Sequence, residues 1–486
     1  MNGGASADGV AAAMEFPNVL ADRYASPAMV GIWAPDAKVR LERELWLAVL
    51  EAQAGEGVPV PDGALDDYRG VLDRVDLESI RRRERVTRHD VKARIEEFNA
   101  LAGHELLHIG LTSRDVTENV EQLQVRRSVE LVRDKVVAVL ARLAERAGEY
   151  ESLVIAARTH NVAAQPTTMG KRLATVGEEL LYGFHRLESL LERYPLRGIK
   201  GAVGTQQDLL DLLGGDADAV DRVERSVAAR LGFTATLNST GQVYPRSLDF
   251  DVVSALLQVA SAPGNLALMI RLMAGHELAT EGFRTGQVGS SAMPHKMNTR
   301  STERISGMVN VLRGHISIAA GLVGDQWYEG DVSCSVVRRV LLPDAFLTCD
   351  GLLETTLEVI REFGVYPAVV ADELRRYLPF LSTTKLLIAA VQRGLGREEA
   401  HELIREHAVA AAQQRRQEGE TTEDLLDRLA TEPRFPFSHD ELQRLVHGND
   451  VPVGRASQQV EAFLQRVVEI GRRHPAAVTY QGGEVL

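Results

Sequence analysis

Cysteine is nearly absent: Cys334 and Cys349 are the two in 486 residues. Two thiols exclude a disulfide framework and a thiolate zinc site, and they fit a reducing cytoplasm. Basic side chains are outnumbered 55 to 68 by acidic ones, leaving a formal net charge of -13. Such a surface repels phosphate backbones and argues against general nucleic-acid binding. No unbroken apolar run approaches the roughly 20 residues of a membrane span. No G-x-G-x-x-G follows a strand pattern and no P-loop is present, which disfavours doubly wound nucleotide folds. The G-x-S-x-G elbow of the serine hydrolases is missing too. Residues 1–16 are rich in Ala and Gly without a basic flank, and read as a disordered leader rather than a signal peptide.

What is present is helix. A chain this long exceeds one hydrophobic core, so two or three domains are expected. Val129, Val132, Val136, Leu140 and Leu143 recur at spacings of three and four. Leu173, Val176, Leu180, Phe184, Leu187 and Leu191 do the same. Three more long patterns follow before residue 363, one carrying Pro263 and another Pro343, where bends are expected. Helices this long predict an all-α protein built on a bundle, and their broad apolar stripes predict oligomerisation. The organisation read from the pattern is an N-terminal helical domain over 17–117, a central bundle over 118–370 and a C-terminal helical domain over 371–486. Alternating β pattern is scarce; "TATLNSTGQVYP" is its best candidate.

Polar, loop-like insertions punctuate the helices. The ten residues "GSSAMPHKMN" at 289–298 hold two hydroxyls and a lysine behind a glycine. Gly289 permits movement, Pro294 forbids helix, and Lys296 is close enough in sequence to Ser290 to stabilise an alkoxide or a substrate anion. Asn298 can donate to a carboxylate. A surface loop with a stray lysine is the plainer reading of the same residues. His160 lies in "RTHN", at an expected helix end, and is either structural or a proton donor. Glu303 could fix its tautomer from a neighbouring helix. Arg88, His89, Lys296, Arg300, Arg304, Arg338 and Arg339 all fall in loop-like segments. Gathered in one cleft they would suit a small polyanion; spread out, they would pair with the abundant Asp and Glu.

"GSSAMPHKMN" resembles the signature loop of the fumarase/aspartase superfamily, a pattern of the form G-S-S-x-M-P-x-K-x-N. The resemblance runs along most of the chain. "DRYAS", "TRHDV", "GLTSRDV", "RTHNVAAQPTT", "KGAVGT", "QVYPR", "RSTER" and "GLGREEAHEL" are similar, in that order, to the branch that cleaves adenylosuccinate. It implies three helical domains and a homotetramer whose central helices form one core. Each active site would draw on several subunits, with a small purine nucleotide as substrate, no metal or organic cofactor, no nucleic-acid or membrane partner, and a cytoplasmic location. Ser290 would be the base and His160 the acid, with Lys296 and Asn298 on the carboxylate that takes up charge and Glu303 orienting His160. Ser291 and Met293 would complete the loop, within 286–300. Arg23, Tyr24, Ser335 and Arg339 match phosphate contacts. Arg88, His89 and Asp90 match succinyl and ribose contacts, Thr112, Ser113 and Thr159 carboxylate contacts, Gln242 the nucleotide and Arg304 the substrate anion. Gly330 departs from the pattern where an arginine is common; Arg338 or Arg300 would then compensate, or fewer groups would hold the phosphate. Thr299 and the segment around Cys334 and Val337 depart as well. Rival readings are a lyase for argininosuccinate or a carboxymuconate-type substrate, and a catalytically silent structural homologue.

Overall fold

The computed structural model describes residues 18–282, 292–293, 295–419, 425–448 and 451–483. Five long helices form its centre: α1 (Ser113–Glu149), α2 (Met169–Arg193), α3 (Ser247–Gly275), α4 (Arg300–Ala320) and α5 (Ser333–Glu362). Their stripes are the ones the spacing predicts. Val129, Val132, Val136, Leu140 and Leu143 of α1 are all buried, as are Leu173, Leu180, Phe184 and Leu187 of α2. Each such side chain contributes roughly 1.5–3 kcal/mol on leaving water. Both prolines sit inside continuous helices, Pro263 in α3 and Pro343 in α5. α3 is long and apolar enough to cross a membrane, with a mean hydropathy of 1.5 over its most apolar window. Part of that surface packs against α2, α4 and α5 in the bundle.

Six helices between Val19 and Ala102 precede the bundle. After it come α6 (Pro367–Leu381), further helices to His447, and α7 (Ala456–Arg473). Residues between Leu378 and Val446 close a small apolar core of their own. Val460, Phe463, Val467 and Ile470 of α7 join the main core instead, where α7 packs on α1 and α2.

The only paired strands among the described residues are two short ribbons, antiparallel β1 (Val154–Thr159) with β2 (Val162–Thr168), and β3 (Ala279–Thr280) with β4 (Gly364–Val365). The expected strand candidate at 234–245 makes one isolated bridge, Thr236 to Leu196, and is otherwise loop.

Candidate functional site

His160 is not at a helix end. It and Asn161 are the two turn residues of the β1–β2 hairpin, both left-handed at φ 53° and 61°, with Thr159 paired to Val162 across them. This is the backbone of a type I′ turn, whose twist matches the ribbon. His160 and Thr159 are exposed at the tip. The ribbon is held by Arg158, which pairs with Glu373 of α6, and by Gln165, which donates to Thr384 Oγ1 at 3.1 Å.

A second group forms at the N-terminal ends of α1 and α5. His89 caps the helix Asp90–Ala102, its Nδ1 accepting from the Lys92 amide at 3.2 Å. A neutral His89 therefore carries its proton on Nε2, which lies 3.4 Å from Ser113 Oγ. Arg339 approaches the Asp90 carboxylate to 3.6 Å from the other side, and Arg94 does so to 3.3 Å. Burial pushes the Asp90 carboxyl up, but Arg94, the Val91 amide, Arg339 and His89 outweigh it and hold it below the ordinary aspartate range. Arg88 ends the preceding helix in a left-handed conformation, φ 54°. Ser335 lies one turn before Arg339 on the exposed start of α5.

Behind this group lies a buried scaffold that sequence reasoning missed. Thr112 and Asp115 form a capping box at the start of α1. Asp115 also takes an ion pair from Arg197 at 2.6 Å and the amides of Lys200 and Gly201 at 2.8 and 3.1 Å. Arg197 goes on to the carbonyls of Gly201 and Gly241. One carboxylate and one guanidinium thus fix the loops carrying Thr112 and Gln242. The T-x-x-D spacing at 112–115 was the available signal.

Gln242 donates to the Ala202 carbonyl at 3.3 Å, and its own amide meets the Glu329 carbonyl at 2.5 Å. Gly330, at φ 152°, is packed against it: a Cβ there would come within 2.8 Å of Gln242 Cβ. The arginine common at this place does not fit this backbone. Arg338 does not compensate, because it is buried, pairing with Asp249 at 2.7 Å and with Glu121 and the Tyr244 hydroxyl. Tyr244 lies between two guanidinium groups, Arg246 at 4.5 Å and Arg338 at 4.9 Å. Arg300 is exposed.

A third group sits further along α5. Tyr24 packs on Gly351, and Arg304 lies 5.3 Å over the Tyr24 ring. Gly351 is twelve residues beyond Arg339, ~18 Å along the helix axis. No hydrogen bond or ion pair joins Arg23 or Tyr24 to Ser335 or Arg339 within the chain. Arg304 beside Tyr24 and Arg339 beside Asp90 accordingly belong to separate groups in a single chain, and Arg338 is buried away from both.

Ser290 and Ser291 lie outside the described residues, with Gly289 and Pro294. Of the loop, Met293 and Lys296 are exposed and Asn298 is half-buried. Its downstream stem is fixed by Glu281, whose buried carboxylate accepts the amides of Ser301 and Thr302 at 2.8 and 2.9 Å and so caps α4. Glu303 is exposed on the first turn of α4 and does not meet His160 within the chain.

α1 carries the chain ~54 Å from Ser113 to Glu149, and the hairpin opens at Val154. Even if the residues from Glu149 to His160 ran straight back along the helix they would recover at most ~40 Å. The His160 backbone therefore stays ~15 Å or more from that of Ser113 in the same chain, beyond hydrogen-bond reach.

Solved structures share this fold. It superposes on a fumarate lyase from Mesorhizobium sp. BNC1 (TM-score 0.78, 20% identity, 91% of this chain and 98% of that one). It superposes equally on a 3-carboxy-cis,cis-muconate lactonizing enzyme from Pseudomonas putida (TM-score 0.79, 21% identity, 93% and 99%). The architecture is that of the fumarase/aspartase superfamily of lyases. Residues 42–314 match the family model described as Lyase, and residues 379–463 match the one described as Adenylosuccinate lyase C-terminus. An adenylosuccinate lyase from Saccharomyces cerevisiae is 36% identical over 461 residues, 93% of this chain and 95% of that protein. One from Schistosoma mansoni is 34% identical over 461 residues, 94% and 95%. The chain belongs to the adenylosuccinate lyase family.

Proposed function

We propose that this lyase cleaves adenylosuccinate to AMP and fumarate, and acts likewise on the succinyl-aminoimidazole carboxamide ribotide, in purine nucleotide synthesis. The observation that carries the reading is the near full-length similarity to adenylosuccinate lyases, C-terminal segment included. The clustering of His89, Asp90, Ser113 and Arg339 supports it, because a polar substrate needs mixed donors and acceptors in one place.

In the proposed reaction Ser290 removes a proton from the succinyl carbon beside a carboxylate. Lys296 and Asn298 bind that carboxylate as charge builds on it, which is where fixed donors lower the barrier most. The electron pair becomes the double bond of fumarate while the carbon–nitrogen bond breaks. His160 gives the departing nitrogen its proton, with Glu303 orienting the ring. Thr112, Ser113 and Thr159 hold a carboxylate, Gln242 the nucleotide, and Arg23, Tyr24, Ser335 and Arg339 the phosphate; Arg88, His89, Asp90, Ser291, Met293 and Arg304 complete the pocket.

Copies of the chain are proposed to share a site. The separation of His160 from the group at the start of α1 supports this, and so do the exposed apolar side chains on bundle helices: Leu268 and Leu272 of α3, Val311 and Ile318 of α4, Val336 and Val340 of α5. We propose a homotetramer, and a cytoplasmic location on the strength of two unpaired thiols.

The test is direct. Purified protein incubated with adenylosuccinate should release fumarate, followed by absorbance. Release from argininosuccinate with none from adenylosuccinate would overturn the substrate assignment.

A further inference from the structure

Lys135, in the middle of α1, is buried between two buried carboxylates of α5, Asp350 and Glu354. One cation for two carboxylates leaves this interior site one positive charge short, and buried charge of that kind must be met by hydrogen-bond donors. The donors come from the two ends of the chain. The Ser26 amide gives a 2.6 Å bond to Asp350 Oδ2, and Lys135 Nζ donates to Ser26 Oγ at 2.9 Å. From the other end, the Tyr480 hydroxyl donates to Glu354 Oε1 at 2.6 Å and the Gly483 amide to Glu354 Oε2 at 2.6 Å. Lys135 also lies 5.6 Å over the Tyr480 ring.

Two residues before Ser26 is Tyr24. Its backbone and Cβ rest on Gly351, the residue after Asp350, so closely that a Cβ at Gly351 would stand 2.8 Å from Tyr24 Cβ and 3.0 Å from its carbonyl carbon and oxygen. Asp350 and Gly351 therefore set the position of the Arg23–Tyr24 segment, one through a hydrogen bond and the other by contact. The tail enters through Lys135. Lys135 Nζ is shared among Asp350, Glu354 at 2.5 Å and the Ser26 hydroxyl, with Tyr480 and Gly483 supplying the rest of Glu354's donors. Without those two donors Lys135 would shift toward Glu354 and loosen its hold on Asp350 and the Ser26 hydroxyl.

We propose that Lys135, Asp350, Glu354 and Tyr480 are a positioning device that lets the C-terminal tail hold the substrate-binding residues Arg23 and Tyr24 in place. This rests on the reading that Tyr24 contacts the nucleotide phosphate. None of the four touches substrate; they act through Tyr24.

The test is a kinetic cycle on the full-length enzyme with adenylosuccinate. Tyr480→Phe removes one hydroxyl and keeps the ring. It should raise KM roughly tenfold and leave kcat within about twofold, the pattern of lost uniform binding. Gly351→Ala, which pushes on Tyr24 directly, should do the same. Tyr24→Ala should raise KM on its own, and in that background Tyr480→Phe should add nothing, because coupled positions are not additive. Loss of melting temperature in Tyr480→Phe with a wild-type KM would make the cluster merely structural and overturn the proposal, as would an equal KM effect in both backgrounds. A wild-type KM for Tyr24→Ala would instead remove the phosphate assignment on which the proposal stands.

Discussion

Asp115 and Arg197, both wholly buried, pair at 2.6 Å where the start of α1 meets the loops at 198–206 and 238–246. Taking away one member of a buried pair strands the other, at a cost of roughly 3–5 kcal/mol. Asp115→Asn is therefore expected to lower the free energy of unfolding by about that much, read as a fall in the denaturant midpoint. It should also cut activity, because Thr112 and Gln242 lose their common anchor. A variant with the parental midpoint and KM would show that the loops hold their places without the pair.

Putting the missing arginine back should fail. Gly330 has φ 152° and no room for a Cβ beside Gln242. Gly330→Arg is expected to lose roughly 1–3 kcal/mol of stability through backbone strain. It should weaken rather than tighten the binding of AMP. Calorimetric titration with AMP decides the point; a gain in affinity would mean that the loop reshapes around the new side chain.

His160 and His89 of one chain belong to separate groups, one at the hairpin tip and the other beside the start of α1. His160→Ala and His89→Ala should each be nearly inactive, loss of a general acid alone being worth on the order of 10²–10⁴-fold. Subunits exchanged between the two variants should recover activity at roughly a quarter of the sites, if each site takes the two residues from different copies of a symmetric assembly. Mixed assemblies that stay inactive would count against shared sites.

Glu121 offers a pH signature. Burial pushes its carboxyl up, but Arg338 and Lys38 overcome this and bring it down to about 2. A lowered native value means that the unfolded chain binds the extra proton. The contribution is fully present above about pH 4.5 and is lost as pH falls toward 2, at about 1.4 kcal/mol per unit of displacement. Stability against unfolding, followed by circular dichroism, should rise with pH across this window. Glu121→Gln should flatten that slope; an unchanged slope would assign the acid sensitivity to other carboxylates.

Val311 and Ile318, seven residues apart on α4, are 42% and 43% exposed. Their solvent-facing apolar surface is expected to lie between copies. The double variant Val311→Glu/Ile318→Glu should sediment as a smaller species with little activity, while the circular dichroism of the isolated chain persists. A full-size assembly would move the interface to other faces.

The long helices were legible because each buries a stripe for five or more turns, so the period of 3.6 repeats often enough to stand out. The hairpin was not. β1 and β2 show no clean alternation of buried and exposed residues, Pro166 lies within β2, and a register irregularity falls between Ala156 and Arg158. Its turn is His-Asn rather than the Asn-Gly or Asp-Gly that announces a ribbon. The motif residues could be named from the sequence, but their grouping could not: Arg338 and Arg339 are neighbours there, yet one is enclosed among carboxylates and the other faces solvent. Lys135, Asp350 and Gly351 carry no local pattern at all, since partners more than 200 residues apart meet only in the fold.

α1 runs 37 residues without a break between Ser113 and the ribbon that bears His160. It works as a gauge. One residue inserted anywhere along it would swing everything downstream by about 100° and push it 1.5 Å further on, carrying the imidazole off its bearing. Substitution on the outer face of this rod is tolerable; a change in its length is not.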